Sequence, residues 1–405
     1  MADQHSLAPT PAPSATPESQ GFTSVGIATL NKQMHDLVDD GTLAGVATLV
    51  ARHGKIVNHD AYGKQDLTKP APLANNTIYR IASMTKPIVG AAMMMLWEEG
   101  KWKLDDPVAK HIPKFKDLKV RQKNGDPVPQ ATPMNMAQLM SHSAGFGRAN
   151  DYAEANLRGG DLQDMINTLA KMPLAFQPGK DWRYGPSVDI QGYVVEKLSG
   201  QTLDKFLGER LFDPLGMVDT QFCVDASKSD RVVAIHQMVD GKAKSREEAN
   251  TFPTKPPKFL AGGGGLFSKP EDYWRFAQMI LNRGEFGGKR YLKAETVDLM
   301  HQNVLEKGVN VTLYSPETRG LGFGMDFAIV QDPQLAKTSQ GIESFYWGGA
   351  FGTWFWIDPV NDMIVIGFIQ NVGGSTPAAG NPLLREMSAK AVYAAMTDRK
   401  SGRAL

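Results

Sequence analysis

Ser83 and Lys86 stand three residues apart in the tetrad Ser83-Met84-Thr85-Lys86, directly before Pro87 and an apolar run from Ile88 to Trp97. Proline is tolerated in the first turn of a helix, so Pro87 predicts a helix that starts close to Ser83. Residues i and i+3 share a helical face, which brings the lysine amine within reach of the serine hydroxyl. A hydroxyl is a poor nucleophile until a neighbouring base or cation helps remove its proton, and a desolvated lysine can do either. The helix N-terminus adds a field that favours developing negative charge. Taken alone, the tetrad also fits a helix-capping serine beside a solvated lysine. Here the following residues Met93, Met94, Met95 and Leu96 put the helix in the core, and its start with it, which favours the chemical reading.

The surrounding motifs resemble those of the serine β-lactamase and penicillin-binding-protein superfamily. The likeness starts at Ile81-Ala82-Ser83-Met84-Thr85-Lys86, with Gly100, Leu104, Asp105, Asp106, Pro107 and Val108 behind it. It continues through Leu139-Met140-Ser141-His142-Ser143-Ala144-Gly145, Pro178-Gly179, Trp182 and Tyr184, then Asp213-Pro214-Leu215-Gly216-Met217 and Gly262 to Leu266. Trp347-Gly348-Gly349 completes the set, so the resemblance spans roughly residues 22 to 395. Within the superfamily the chain is most similar to class C β-lactamases and their esterase relatives, the family VIII carboxylesterases.

The resemblance implies roles for individual residues. Ser83 matches the acylated nucleophile and Lys86 its partner. Tyr184 matches the tyrosine of the second motif, a general base acting with Lys86. That motif ends in Asn in the lactamases and in Pro186 here, which removes a side-chain amide from the substrate site. The third motif, Lys-Thr-Gly in lactamases, is Trp347-Gly348-Gly349. The lactamase lysine offers positive charge to a substrate carboxylate, whereas indole offers a single N–H donor. Exchanging cation for aromatic favours a neutral ester over a β-lactam. Gly348 and Gly349 let the strand approach the substrate closely, and the backbone amides of Ser83 and Ala350 are the expected oxyanion hole, each such donor contributing about 3–4 kcal/mol in a comparable hydrolase. Phe146 and Phe351, with Trp347, are the expected substrate-binding aromatics. Tyr346 and Trp354 fit a pocket wall and a strand core equally well.

Other motifs carry less. Gly262 to Gly265 is not followed by Gly-Lys-Ser/Thr, so it reads as a turned loop beside the site and not as a phosphate-binding loop. The histidines show no metal-ligand spacing, and no cofactor or metal is expected. His142 adjoins Ser143, but neighbouring side chains point apart, so a hydrogen-bonded core histidine is expected there. No Gly-x-Ser-x-Gly elbow occurs, which disfavours an α/β-hydrolase. Cys223 is expected to be buried and inert, and the charges of Lys114 to Arg121 a solvated face.

The elements that must position these residues are legible from periodicity. Ile27, Leu30, Met34 and Leu37 recur at helical spacing. Ala44 to Arg52 and Ile56 to Tyr62 read as a hairpin across His53-Gly54-Lys55, and Thr77 to Ile81 is a short extended piece leading into Ser83. The chain is then mostly helical to Phe212, with an exposed excursion at Lys114 to Pro133. Gly320 to Val330, Ser344 to Ile357 and Met363 to Asn371 are strand-like, the last two separated by the turn Asp358 to Asp362. Ser268-Lys269-Pro270-Glu271 has the form of a capping box before Tyr273 to Leu281, and a final helix is expected over Pro382 to Met396. Strands at both ends around a helical insert predict an α+β, β-lactamase/transpeptidase-like fold: an antiparallel sheet flanked by helices plus a mostly helical domain. The expected divisions are a disordered tail over 1–21, a discontinuous sheet domain over 22–82 and 225–400, and a helical domain over 83–224.

Composition agrees. The 44 basic and 43 acidic side chains nearly cancel, which disfavours nucleic acid or a membrane surface as partner. One cysteine excludes an internal disulfide, and a chain of 405 residues buries enough surface without one. The first stretch has neither a basic nor an apolar signal region, and with the lone cysteine this gives a cytoplasmic expectation. The expected function is ester hydrolysis of short-chain or small neutral esters through a Ser83 acyl-enzyme, with acyl transfer to an alcohol as a side activity. A β-lactamase or D-amino-acid peptidase shares the machinery and is the alternative. A non-catalytic penicillin-binding-like module is the third reading.

Overall fold

The computed structural model describes residues 13–312, 319–373 and 383–402 of the chain. Strand β1 (Gly45–Arg52) turns through His53 and Gly54 into β2 (Lys55–Gly63). Both turn residues have positive φ, 51° and 71°, the geometry that suits the right-handed twist of a hairpin. The short β3 (Tyr79–Arg80) pairs antiparallel with β4 (Phe267–Ser268). The strands that complete the main sheet follow late in the chain: β5 (Leu321–Phe323), β6 (Ala328–Val330), β7 (Phe345–Gly348), β8 (Trp354–Asp358) and β9 (Met363–Phe368).

Among the described residues these form a seven-stranded antiparallel sheet in the order β5-β6-β7-β8-β9-β1-β2. The N-terminal hairpin is thus completed by C-terminal strands, as the pattern of strands at both ends predicts. Every residue of β8 and β9 is buried, so the sheet is covered on both faces. Helix α1 (Ser24–Asp39) buries Ile27, Leu30 and Met34, its expected apolar stripe. Helix α2 (Thr85–Glu98) is buried from Thr85 through Leu96, the environment the methionine run predicts. It packs on α3 (Ser187–Ser199), whereas α4 (Pro270–Leu281) lies on the sheet and α5 (Leu384–Ala395) pairs with α1.

Several expectations are corrected. Ser344 to Ile357 is not one strand but the hairpin β7–β8, because the Gly349–Thr353 turn closes through Gly349 N–H to Thr353 O at 2.7 Å. Gly320 to Val330 is likewise a hairpin, reversing at Asp326, whose φ is 66°. No capping box forms at Ser268: that residue ends β4, its hydroxyl meets Thr220 Oγ1 at 2.7 Å, and α4 begins without a side-chain cap. Of the stretch expected to be a disordered tail, 1–12 lies outside the described residues. Within 13–21, Ser14 meets the sheet edge, where its N–H donates to Ile56 O and Ile56 N–H donates to Ser14 Oγ. Pro382, the expected start of the last helix, also lies outside the described residues. Cys223 is half-buried, and burial pushes its thiol up from the ordinary value.

Candidate active site

Ser83 lies in a single 3₁₀ turn, Ala82–Met84, that feeds directly into α2. The turn is fixed from several sides. Thr85 Oγ1 donates to Ala82 O at 2.7 Å and accepts from Leu266 N–H at 3.2 Å, while Tyr273 of α4 donates its hydroxyl to Met84 O at 3.1 Å. Ala82 holds a φ of 45°, a left-handed conformation that only surrounding contacts can maintain in a residue with a Cβ. Ser83 itself stays partly exposed in this otherwise buried segment.

The expected helical-face relation between Ser83 and Lys86 holds. Lys86 Nζ donates to Ser83 Oγ at 3.1 Å, and the residue is only 4% exposed. A second donation goes to the backbone carbonyl of Gly263. Tyr184 is brought in from the loop before α3, and the ammonium lies 4.5 Å from its ring centroid, within cation–π range. Tyr184 makes no hydrogen bond to Ser83 Oγ among the described residues; its oxygen instead accepts the indole N–H of Trp347 at 3.2 Å. Catalytic hydrogen bonds in unliganded enzymes are commonly long and close when substrate enters.

The strand end carrying Gly348, Gly349 and Ala350 lies against the Ser83 turn. A Cβ on Gly349 would fall 2.5 Å from Ile81 O and 2.2 Å from Thr353 Oγ1, so only glycine allows this approach. Thr353 Oγ1 donates to Ile81 O at 3.1 Å and locks the two segments together. Ala350 is exposed at the turn, and its N–H has no protein acceptor among the described residues, as an oxyanion donor requires.

The pocket residues fare differently. Trp347 is 2% exposed, packed on Tyr184 at 5.3 Å and on Phe323 at 5.4 Å, so it stands behind the tyrosine instead of forming an open wall. Phe146 is also corrected: it is buried in the core against Phe115, with ring centroids 5.6 Å apart. Tyr346 and Trp354 are core as well, the latter donating its indole N–H to Ser388 Oγ at 3.1 Å. Phe351 is half-exposed and remains beside the Ala350 turn.

Three features of the site were not anticipated from the residues. His142 is buried as expected, but among the described residues neither of its ring nitrogens has a hydrogen-bond partner. Its ring lies 5.0 Å from that of Tyr184, and burial, reinforced by the Lys86 charge, holds its pKa well below the ordinary histidine value. A neutral imidazole therefore backs the tyrosine. The second feature is the Gly263 carbonyl, whose only sequence signal is the glycine run Gly262 to Gly265. The third is Asp189, five residues after Tyr184, whose Oδ1 accepts the Gly263 N–H at 2.7 Å. No group of metal-ligating side chains occurs among the described residues, and none of their helices is long and apolar enough to cross a membrane.

The arrangement is thus a partly exposed serine with a buried amine on its hydroxyl, a phenol ring beside that amine, and the Ala350 amide on the turn that packs against the serine's segment. The Beta-lactamase family model matches residues 30–387. The chain is 30% identical to Esterase EstB of Burkholderia gladioli over 345 residues, 77% of this chain and 82% of the esterase. It is 27% identical to a putative D-alanyl-D-alanine carboxypeptidase of Escherichia coli strain K12 over 384 residues, 87% of this chain and 84% of that protein. In structure it is similar to EstCE1, described as a hydrolase with promiscuous acyltransferase activity. The TM-score is 0.77 at 24% identity, covering 91% of this chain and 99% of that one.

Proposed function

The chain belongs to the beta-lactamase family, and from that premise we propose that it is a serine carboxylesterase acting on small neutral esters. The observation that carries this reading is Lys86 Nζ at 3.1 Å from the partly exposed Ser83 Oγ, with Tyr184 against the same ammonium. Ser83 Oγ attacks the ester carbonyl carbon while its proton passes to the Tyr184–Lys86 pair. The amides of Ser83 and Ala350 hold the oxyanion. Collapse breaks the carbon–oxygen bond, and the alcohol leaves with the proton returned by Tyr184. Water then attacks the Ser83 ester, giving the carboxylic acid and restoring the hydroxyl.

Trp347 supports the choice of substrate. It replaces the cation that a β-lactam or peptide carboxylate would meet, and its single N–H is already given to Tyr184. Pro186 withholds the amide of the second motif in the same way. EstB is an esterase by name, which agrees with this reading, and the acyltransferase activity of EstCE1 makes transfer to an alcohol a reasonable side reaction.

The test is mass spectrometry after treatment with an alkyl fluorophosphonate, in which Ser83 Oγ displaces fluoride from phosphorus. One adduct on the wild type and none on Ser83→Ala is the expected result. Turnover of a neutral p-nitrophenyl ester should exceed that of a chromogenic cephalosporin and of a D-alanyl-D-alanine peptide. A large excess for either of the latter would replace the esterase reading by the lactamase or peptidase one.

A further inference from the structure

We propose that Asp189 is a positioning residue for Lys86, acting through Gly263, whose N–H it accepts and whose carbonyl receives the lysine; the inference rests on the reading of Ser83 as nucleophile. Lysine is a point charge on a flexible four-carbon stem, so holding its amine on one hydroxyl requires a second anchor. That anchor is the Gly263 carbonyl, which accepts from Lys86 Nζ while the same ammonium donates to Ser83 Oγ. A loop carbonyl holds a lysine only as well as the loop itself is held. Here Asp189 Oδ1 takes the Gly263 N–H at 2.7 Å, with the carboxylate 6% exposed in the first turn of α3. A carboxylate is well placed there, because the first amides of a helix favour negative charge.

The glycine run is shaped for this contact. A Cβ on Gly262 would stand 2.5 Å from Val188 O, and one on Gly263 would stand 3.0 Å from Asp189 Oδ2. Both glycines therefore let the loop lie directly on the first turn of α3. The far end of the loop is fastened to the nucleophile turn: Leu266 N–H donates to Thr85 Oγ1 at 3.2 Å, and Ile81 N–H donates to Leu266 O at 3.1 Å. The loop thus bridges the helix that begins just after Tyr184 and the turn that carries Ser83. Arg158 lies 3.5 Å from the Asp189 carboxylate on a side chain 62% exposed, a contact too solvated to dominate. Among the described residues the Asp189 carboxylate accepts from the Gly263 N–H, so its geometry is directed at Gly263.

The experiment compares Asp189→Ala, Asp189→Asn and Gly263→Ala with wild type, measuring kcat and KM on a neutral p-nitrophenyl ester, fluorophosphonate labelling rate and thermal midpoint. Asp189→Ala should lower kcat and labelling by about 10²-fold, the cost of misplacing a reacting group by an ångström or so, with KM nearly unchanged. Asp189→Asn keeps an acceptor for the Gly263 N–H and should recover about tenfold of that loss. Gly263→Ala retains the carboxylate but crowds it with a Cβ 3.0 Å from Asp189 Oδ2, shifting residue 263, and should lose kcat like Asp189→Ala. Wild-type kcat in Asp189→Ala, or equal losses in the Ala and Asn variants, would overturn the inference while labelled wild type keeps the Ser83 reading. An unlabelled wild type would overturn both. Should Asp189→Ala unfold, Gly263→Ala with full activity would still sink the proposal.

Discussion

The indole N–H of Trp347 donates to the phenol oxygen of Tyr184 at 3.2 Å, and the two rings lie 5.3 Å apart. The residue that stands where a lactamase has its lysine is thus hydrogen-bonded to the proposed base. Its burial removes water from one side of the phenol, where a hydrogen bond is worth more than in solvent. Lys86 faces the same ring and His142 backs it, so the tyrosine is enclosed by one cation, one neutral imidazole and one donor. A donor aimed at the phenol oxygen stabilises negative charge there while a proton is in transit.

Trp347→Phe keeps the ring and removes the donor. A hydrogen bond to a group that gains charge contributes roughly 1.5–3 kcal/mol, which corresponds to a fall of about 10- to 100-fold in kcat. KM for a small neutral ester should change little, because Trp347 is not an open wall. A KM increase with unchanged kcat would return Trp347 to the substrate pocket.

Tyr184→Phe should fold normally, since its ring contacts with His142, Trp182 and Trp347 are retained. Loss of general-base help should lower kcat by roughly 10²- to 10⁴-fold. Steady-state kinetics alongside near-ultraviolet circular dichroism checks this. Near wild-type turnover would remove Tyr184 from the proton path.

The parts of this site that could be read from the chain are those written in side chains and local periodicity. Ser83 and Lys86 were legible because one helical turn relates them, and Pro87 marks where that turn begins. Tyr184 lies about a hundred residues away and was found only through the motifs around it. Gly263 was missed because its working group is a backbone carbonyl, which no residue type announces. Asp189 was missed for a related reason: an acid in a first helical turn reads as a dipole partner until the loop on it is known. Phe146 and Trp347 were assigned to the pocket because a large aromatic on a strand or loop looks alike in a wall and in a core. The single strand expected over Ser344 to Ile357 became two because the Gly349–Thr353 turn closes on its own backbone, and what holds that turn in place, Thr353 on Ile81, is a contact distant in sequence.

Phe146→Ala tests the core assignment directly. Removing a buried phenyl in contact with Phe115 should cost about 3–5 kcal/mol of stability, read as a lower urea midpoint. At temperatures where the variant remains folded, its ranking of ester chain lengths should match wild type. A changed chain-length preference without loss of stability would place Phe146 in the substrate site after all.

Asp219 gives the clearest expectation for pH. It is buried, and its carboxylate receives Arg231 Nη2 at 2.6 Å, Lys228 Nζ at 2.8 Å and Lys269 Nζ at 3.0 Å. Burial alone would raise its pKa, but the hydrogen bonds from Arg231 and Lys228 and the Lys269 charge outweigh it and hold the carboxyl well below the usual range. A group with a depressed folded pKa adds stability above its unfolded value of about 3.9, and that contribution is lost as pH falls through the folded value. The neighbouring Asp272 has the opposite sign: burial pushes it up to about 6, so its contribution is complete below the unfolded value and disappears as pH rises through about 6. Asp219→Asn should therefore be clearly less stable than wild type at pH 5 and pH 7, and the gap should close progressively from about pH 4 downward. Urea unfolding of both proteins at pH 3, 5 and 7 reads this gap. A difference that stayed constant down to pH 3 would mean that the three cations do not hold Asp219 ionised, and that the cluster does not set the acid limb of stability.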